Sequence, residues 1–293
     1  MRPDWLKSLS AELPVLLAGP TAAGKSALAL EIAADQGGVI VNADALQVFA
    51  NWHILTARPG PVEEEVADHK LYGHVPGEAS YSVGHWLRDV LPLLGNGPRP
   101  IIVGGTGLYF AALTEGLAPI PTTPPEIRST ADARLADEGI AALLAEVDPE
   151  TAARIDKQNP ARVQRAWEVQ ATTGRGLAAW QDDTPPPALP LASAQPLVIE
   201  ADKDWLNDRI DRRFDAMIAD GAIEEARRNL PDWDPKRHSA KALGAPELID
   251  YLRGNRSLKD AAAAGKTSTR QYAKRQRTWF RSRMLAWRSI AMP

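Results

Sequence analysis

The 293-residue chain contains no cysteine. A disulfide framework, a cysteine-ligated zinc and a thiol nucleophile are therefore excluded. Also missing is any apolar run near the roughly 18 residues that a membrane span requires. The stretch from Met1 to Pro14 carries Asp4, Lys7 and Glu12 where a secretory leader needs an apolar core. These absences point to the cytoplasm and away from membranes. There is little net charge, −3, which argues against a non-specific nucleic-acid coat. The length suggests one large domain or two modest ones.

Charge is nevertheless unevenly placed. Lys266, Arg270, Lys274, Arg275, Arg277, Arg281 and Arg283 follow one another with no acidic residue among them, whereas Glu63, Glu64, Glu65 and Asp68 cluster elsewhere. A local basic stripe on an acidic protein fits a directed polyanion contact, and a solvated helix face is the plainer alternative. Short apolar runs at Leu13–Ala18, Val39–Val41, Ile101–Val103 and Val198–Ile199 alternate with helical patterns. That alternation predicts an α/β core with a parallel sheet covered on both faces and ligands at the carboxyl ends of its strands. Two proline-rich stretches, Ala118–Pro125 and Pro185–Pro196, bracket a helical segment with stop signals at Gly139, Pro149 and Gly174. The expectation is a core of residues 1–116 and 197–293 with a helical insertion at 117–196.

The chemistry begins at Gly19-Pro20-Thr21-Ala22-Ala23-Gly24-Lys25-Ser26, which fits G-x-x-x-x-G-K-[ST] without a mismatch. Backbone N–H groups of such a loop close around phosphate oxygens, Lys25 reaches the terminal phosphate, and the Ser26 hydroxyl can ligate Mg²⁺. The motif predicts diphosphate or nucleotide binding and is silent about the reaction. A hydrolysing P-loop enzyme wants an apolar strand ending in an Asp that holds Mg²⁺. Ile101-Ile102-Val103 runs instead into Gly104-Gly105-Thr106-Gly107. The acidic strand end comes earlier, at Asp44 after Val39–Val41, better placed for a second substrate; a turn or helix cap is its plainer role.

Helical spacing adds two features. Leu206, Ile210, Arg213 and Met217 share one stripe over a helix expected at 203–219, so Arg213 points inward. It is either a diphosphate clamp or half of a structural ion pair. Arg270, Lys274, Arg277 and Arg281 follow the same progression and form a basic ridge, with Tyr272 and Trp279 on the other side. The ridge suits phosphates of RNA or of a diphosphate, and spacing alone leaves the two open. The nine tryptophans, scattered singly, read as core or rim residues. His69 and His74 lack a regular metal-ligand set, and Asn159-Pro160 reads as a helix cap.

Taken in order, Gly19–Ser26, Asn42-Ala43-Asp44 with Gln47-Val48-Phe49, Gly104–Tyr109 and Thr269–Arg281 resemble the tRNA dimethylallyltransferases (tRNA isopentenyltransferases) in their bacterial form, without the zinc-finger extension of eukaryotic members. The resemblance covers nearly the whole chain. It implies a P-loop NTPase-like fold with a helical tRNA-binding insertion. The implied reaction moves a dimethylallyl group from dimethylallyl diphosphate to the N6 amine of the adenosine beside the anticodon, with Mg²⁺. Carried over by position, Asp44 accepts the amine proton, and Asp44-Ala45-Leu46-Gln47 contacts tRNA. Thr106 lies beside diphosphate and base. Arg128, the stretch Ala161-Arg162-Val163-Gln164-Arg165 and Lys241-Ala242-Leu243-Gly244 match further tRNA contacts. Arg213 matches a functionally needed Arg; with Lys25 and Thr106 it would act on the leaving group. Arg270, Lys274 and Arg277 are counted with the RNA-contact candidates. A monomer is expected.

The chain departs from the family at Ala23, Ser26, Ala45 and Phe49, where Ser, Thr, Ser and Tyr are usual, and at Ala245-Pro246. Two other readings stand beside this one. A small-molecule P-loop kinase explains Gly19–Ser26 but not the ridge or the arginines of the insertion. A non-catalytic nucleotide-dependent RNA-binding protein explains the ridge but leaves Asp44 and Thr106 without a role.

Overall fold

The computed structural model describes residues 4–95 and 97–292. Six parallel strands form one sheet: β1 (Val15–Ala18), β2 (Val39–Asn42), β3 (His69–Lys70), β4 (Pro100–Gly104), β5 (Gln195–Ala201) and β6 (Arg288–Met292), in the order β3-β2-β4-β1-β5-β6. Every residue of β1, β2 and β4 is buried, because helices cover both faces. Such strands need continuous apolar runs, and these sequences supply them. Side chains alternate between faces: Val15, Leu17, Ile101 and Val103 join one core with Ile32 and Ile210. Leu16, Ala18 and Ile102 join the other with Trp86, Phe110 and Phe280.

β1 sits between β4 and β5, so its carboxyl end opens at the centre of one sheet edge. The glycine-rich loop leaves from that point into the helix Lys25–Gln36. β2 delivers Asp44, β4 delivers Thr106, and β5 leads through Asp202, whose side chain caps the helix Lys203–Ala219. Consecutive crossovers therefore converge on one edge, as in P-loop NTPase-like sheets. The 26-residue helix Leu258–Arg283 brings Phe280 and Ala273 into the two sheet cores.

The chain divides into two compact units, one of residues up to Thr114 and from Ala188, the other Glu115–Pro187. The second is helical, with Pro125–Asp137, Ile140–Glu146, Pro149–Arg154, Pro160–Thr173 and Leu177–Asp182 around Leu143, Val163, Ala166 and Trp167. Asn159 caps its Pro160–Thr173 helix, and Gly174 closes it in the left-handed region. The helical segment ends earlier than the expected residue 196. Leu189 and Ala194 are buried in the core with Phe110 and Trp287, and β5 starts at Gln195. Apolar burial thus assigns 188–196 to the sheet unit, although its prolines resemble those before it.

Candidate active site

The loop Gly19–Ser26 is folded around two left-handed residues, Ala22 (φ 64°) and Gly24 (φ 91°). This conformation costs Ala about 1–2 kcal/mol and Gly nothing, so the loop carries strain at Ala22. Its side walls are held by side chains from distant elements. Arg213 Nη2 donates to Thr21 Oγ1 at 2.6 Å, and Arg209 Nε donates to Ala22 O at 2.9 Å. Gln276, buried on the long helix, accepts from Thr21 N–H at 2.8 Å and donates to Gly105 O at 2.9 Å. One amide thereby joins the glycine-rich loop to the turn after β4.

That turn is glycine-rich because side chains would not fit. A Cβ on Gly104 would lie 2.1 Å from Ala43 O, and one on Gly105 2.1 Å from Gln276 Nε2. On Gly107 it would enter the Trp279 ring at 2.2 Å. The close packing sets the ends of β2 and β4 side by side. Thr106 N–H donates to Ala43 O at 3.2 Å, and Thr106 Oγ1 accepts from Ala45 N–H at 2.9 Å. Asp44 Oδ1 accepts from Leu46 N–H at 2.9 Å, and buried Asn42 Oδ1 accepts from Asp44 N–H at 2.8 Å. Asp44 does form a turn with its own backbone, and it also faces a cavity.

This cavity, of about 490 Å³, is lined by Lys25, Ser26, Asp44, Gln47, Tyr72 and Arg213, with Arg209 and Arg212 at one wall. Its volume lies in the range of small-molecule sites. Lys25 Nζ donates to Pro20 O at 2.8 Å. Burial pulls the Lys25 ammonium down to about 8, against Asp44, which favours its charge, and with help from Arg213, which opposes it. Arg213 is likewise lowered, to about 10, first by burial. Two cations held at a desolvated site beside a single carboxylate leave a positive surplus for an anion. The phenols of Tyr72, Tyr109 and Tyr272 are all pushed up, first by burial and then by the Asp44 charge. They stay neutral around the carboxylate.

The structure brings Leu46 and Leu243 together with Asp44 and Tyr272 around a small hollow of about 30 Å³ that shares Thr21, Thr56 and Arg213 with the main cavity. Two of the expected RNA-contact segments, 44–47 and 241–244, thus meet at Asp44. Gln47 is committed to Thr56 O and Ala57 O at 2.8 and 2.9 Å. Ala242 is buried in a helical core, with its N–H donating to Ser239 O and its carbonyl accepting from Ala245 N–H; Lys241 is exposed. Gly244 (φ 89°) and Pro246 start the helix Ala245–Leu252, which gives the Ala245-Pro246 departure a local reason.

In the helical unit, Val163 is a core residue with no exposed side chain, a correction to its place in the RNA-contact stretch. Arg128 pairs with buried Glu168 at 3.1 Å, and Arg165 donates to Thr123 Oγ1 at 2.7 Å. Gln164 donates to Asp132 and Glu168 at 2.6 and 3.1 Å, while Ala161 and Arg162 are exposed. None of Arg270, Lys274 and Arg277 lines the Lys25 cavity; they border a separate groove. Arg209 and Gln276, which support the loop, and Tyr72, which lines the cavity, carry no local sequence signal for these places. Among the described residues no group of three or more His, Cys, Asp or Glu could hold a metal ion. His69 Nδ1 instead bonds Ala67 O, and His74 pairs with Asp89. No tryptophan is exposed.

The chain is similar to known proteins over nearly its whole length. The family model for IPP transferase matches residues 47–283. The tRNA dimethylallyltransferase of Cereibacter sphaeroides is 62% identical over 288 residues, 98% of this chain and 92% of that protein. The tRNA dimethylallyltransferase of Roseobacter denitrificans is 63% identical over 282 residues, covering 96% and 99%. Among solved structures, the tRNA isopentenylpyrophosphate transferase of Bacillus halodurans superposes with a TM-score of 0.68 at 30% identity, covering 96% of this chain and 90% of that one. A eukaryotic dimethylallyltransferase shares the fold with a TM-score of 0.81 at 23% identity. The chain belongs to the IPP transferase family.

Proposed function

We propose that this protein is a tRNA dimethylallyltransferase, moving the prenyl group of dimethylallyl diphosphate to the N6 amine of the adenosine beside the anticodon. One observation carries the reading: an anion cradle after β1 and a single carboxylate, Asp44 after β2, face the same cavity from strand ends that flank β4. The cradle takes the diphosphate and the carboxylate takes the amine.

An adenine amine is a weak nucleophile, because its lone pair is conjugated with the ring. An allylic diphosphate compensates by ionising readily once its leaving charge is stabilised. The C1–O bond breaks, diphosphate leaves with the bonding electrons, and the amine nitrogen closes the new N–C1 bond. Lys25, Arg213 and the loop N–H groups receive the charge that develops on the leaving oxygens, in a site already desolvated and ordered. Thr106 is not among the residues that line the cavity, and its Oγ1 accepts from Ala45 N–H beside Asp44; the reading assigns its hydroxyl a hydrogen bond to the leaving group. Asp44 orients the amine and accepts the proton it sheds. The base must leave its stack to reach this depth, and the helical unit, through Arg128, Arg162 and Arg165, is assigned to hold the anticodon stem.

The residues fit a magnesium ion that arrives with the diphosphate. Ser26 offers one hydroxyl, no protein cage exists among the described residues, and Mg²⁺ commonly keeps waters and substrate phosphates as its ligands. When bound, it would supply further positive charge at the diphosphate. A cytoplasmic monomer is part of the same reading; among the described residues no helix is long and apolar enough to cross a membrane.

The test is incubation with labelled dimethylallyl diphosphate and bulk tRNA, with ATP in parallel. Label should enter tRNA, and ATP should give negligible phosphate release, since β4 ends in Gly104 rather than a magnesium-binding Asp. Steady ATP turnover with no label transfer would favour the kinase reading.

A further inference from the structure

The turn at residues 53–57 is held by one carboxylate from a segment some 170 positions away. Glu225, on the helix Ala222–Asn229, is only 3% exposed. Its Oε1 accepts from His53 N–H at 2.6 Å and from Ile54 N–H at 2.9 Å. Its Oε2 accepts from Leu55 N–H at 2.9 Å. Successive N–H groups that converge in this way make a nest for an anion, and the bonds offset the cost of burying the carboxylate. The same turn offers Thr56 O and Ala57 O to the Gln47 amide. Ala57 closes it at φ 51°, a left-handed conformation that costs an L-residue about 1–2 kcal/mol. Such strain persists only where the surroundings over-determine it.

We propose that Glu225 is a positioning residue for the transfer: through the 53–57 turn it sets the Gln47 amide so that its oxygen serves the reacting amine as a second acceptor beside Asp44. The inference rests on the tRNA-modifying reading and deepens it on the nucleophile side of the same site. A glutamine amide has two hydrogens, and Thr56 O and Ala57 O take them both. The reverse orientation would set oxygen against oxygen, so Oε1 is the polar atom left for the cavity that Gln47 lines. Asp44, with Oδ1 engaged by Leu46 N–H, faces the same cavity. An N6 amine carries two hydrogens and sheds one as the N–C1 bond forms. Asp44 receives the hydrogen that leaves as a proton, and Gln47 Oε1 holds the one that stays. The nitrogen is thereby kept aimed at C1. Glu225 itself does not line the cavity and acts through the turn, two of whose residues, Thr56 and Ala57, do line it.

Hydrogen exchange of glutamine side-chain amides, read by NMR on the full-length protein with isotope-labelled glutamine, tests the relay directly. The Gln47 amide, assigned by its loss in Gln47→Leu, should exchange slowly in the wild type and fast in Glu225→Gln. That variant keeps an oxygen for two of the three N–H groups and turns an NH₂ on the third, a milder change than removing the side chain. The Gln276 amide, bonded to Gly105 O, should exchange as in the wild type. Dimethylallyl diphosphate affinity without RNA should also be unchanged, and the two together report intact folding. Single-turnover transfer should slow by roughly 10- to 100-fold in Glu225→Gln. Adding Glu225→Gln to Gln47→Leu should slow it little further, because the two act as one unit. Unchanged Gln47 exchange, unchanged transfer in Glu225→Gln, or additive losses in the double variant would overturn the proposal. So would loss of Gln276 protection and donor affinity together, which would make Glu225 a support of the whole fold. Gln47 protection that depends on Glu225, in a protein that transfers no label, would leave the relay standing and sink the proposed activity.

Discussion

Two sets of cations stand in contrast on this molecule, and burial is what separates them. Lys25 and Arg213 are desolvated, hydrogen-bonded to the loop they serve, and shifted downward in pKa by that burial. Lys274 and Arg281 stand exposed on the long helix, over a groove with no carboxylate. Desolvated charges act strongly on one anion at short range and are weakly screened. Exposed charges act additively on a repeating polyanion and fade with salt. The same residue types are therefore suited to the chemistry of the proposed reading in one place and to a salt-dependent contact in the other.

The largest expected effect tests the chemical side. Asp44→Asn keeps shape and removes the proton acceptor, so turnover should fall by about 10²-fold or more with tRNA affinity little changed. Steady-state rates beside tRNA binding check this; normal turnover would remove Asp44 from the mechanism. Arg213→Gln comes next, with transfer slowed by roughly 10- to 100-fold and a raised KM for the diphosphate, read from donor titrations.

Gln276→Leu sharpens the comparison, because this residue shares a helix with the exposed ridge yet serves the buried site. It leaves Thr21 N–H and Gly105 O without their partner. Each unmet group costs about 1–3 kcal/mol, so denaturant midpoint and donor affinity should both drop, and an unchanged pair would make the bridge incidental. The smallest effect is a pH dependence. The Lys25 pKa is lowered to about 8, so the free protein carries the cation below that pH and loses it above. Because the diphosphate prefers the cation, kcat/KM for the donor should decline as pH rises through about 8. A profile flat to pH 9.5 would mean that Lys25 stays charged.

Much of the site was legible because it is local. The spacing of Gly19 to Ser26, the strand ends at Asp44 and Thr106, and the stripe that turns Arg213 inward each depend on a few neighbouring residues. The helix Lys203–Ala219 forms where its periodicity places it. What was not legible depends on long-range packing. Thr21 meets Gln276 across 255 positions, and no local pattern announces that bond. β6 reads Arg-Ser-Ile-Ala-Met and buries only Ile290, too weak an alternation to mark an edge strand. β3 has two residues. Proline content drew the insertion to residue 196, whereas the burial of Leu189 and Ala194 ends it at Pro187. The pairing of Arg128, an RNA-contact candidate by position, with the buried carboxylate of Glu168 spans 40 positions and has no local signal either.

The central claim is that cradle and carboxylate act on opposite partners within one cavity. Calorimetric affinity for dimethylallyl diphosphate, measured without RNA, tests it most directly. Arg213→Gln should lose donor affinity, whereas Asp44→Asn should bind the donor at least as tightly as the wild type, since it removes a negative charge from an anion site. Loss of donor affinity in Asp44→Asn, with Arg213→Gln unaffected, would contradict the account.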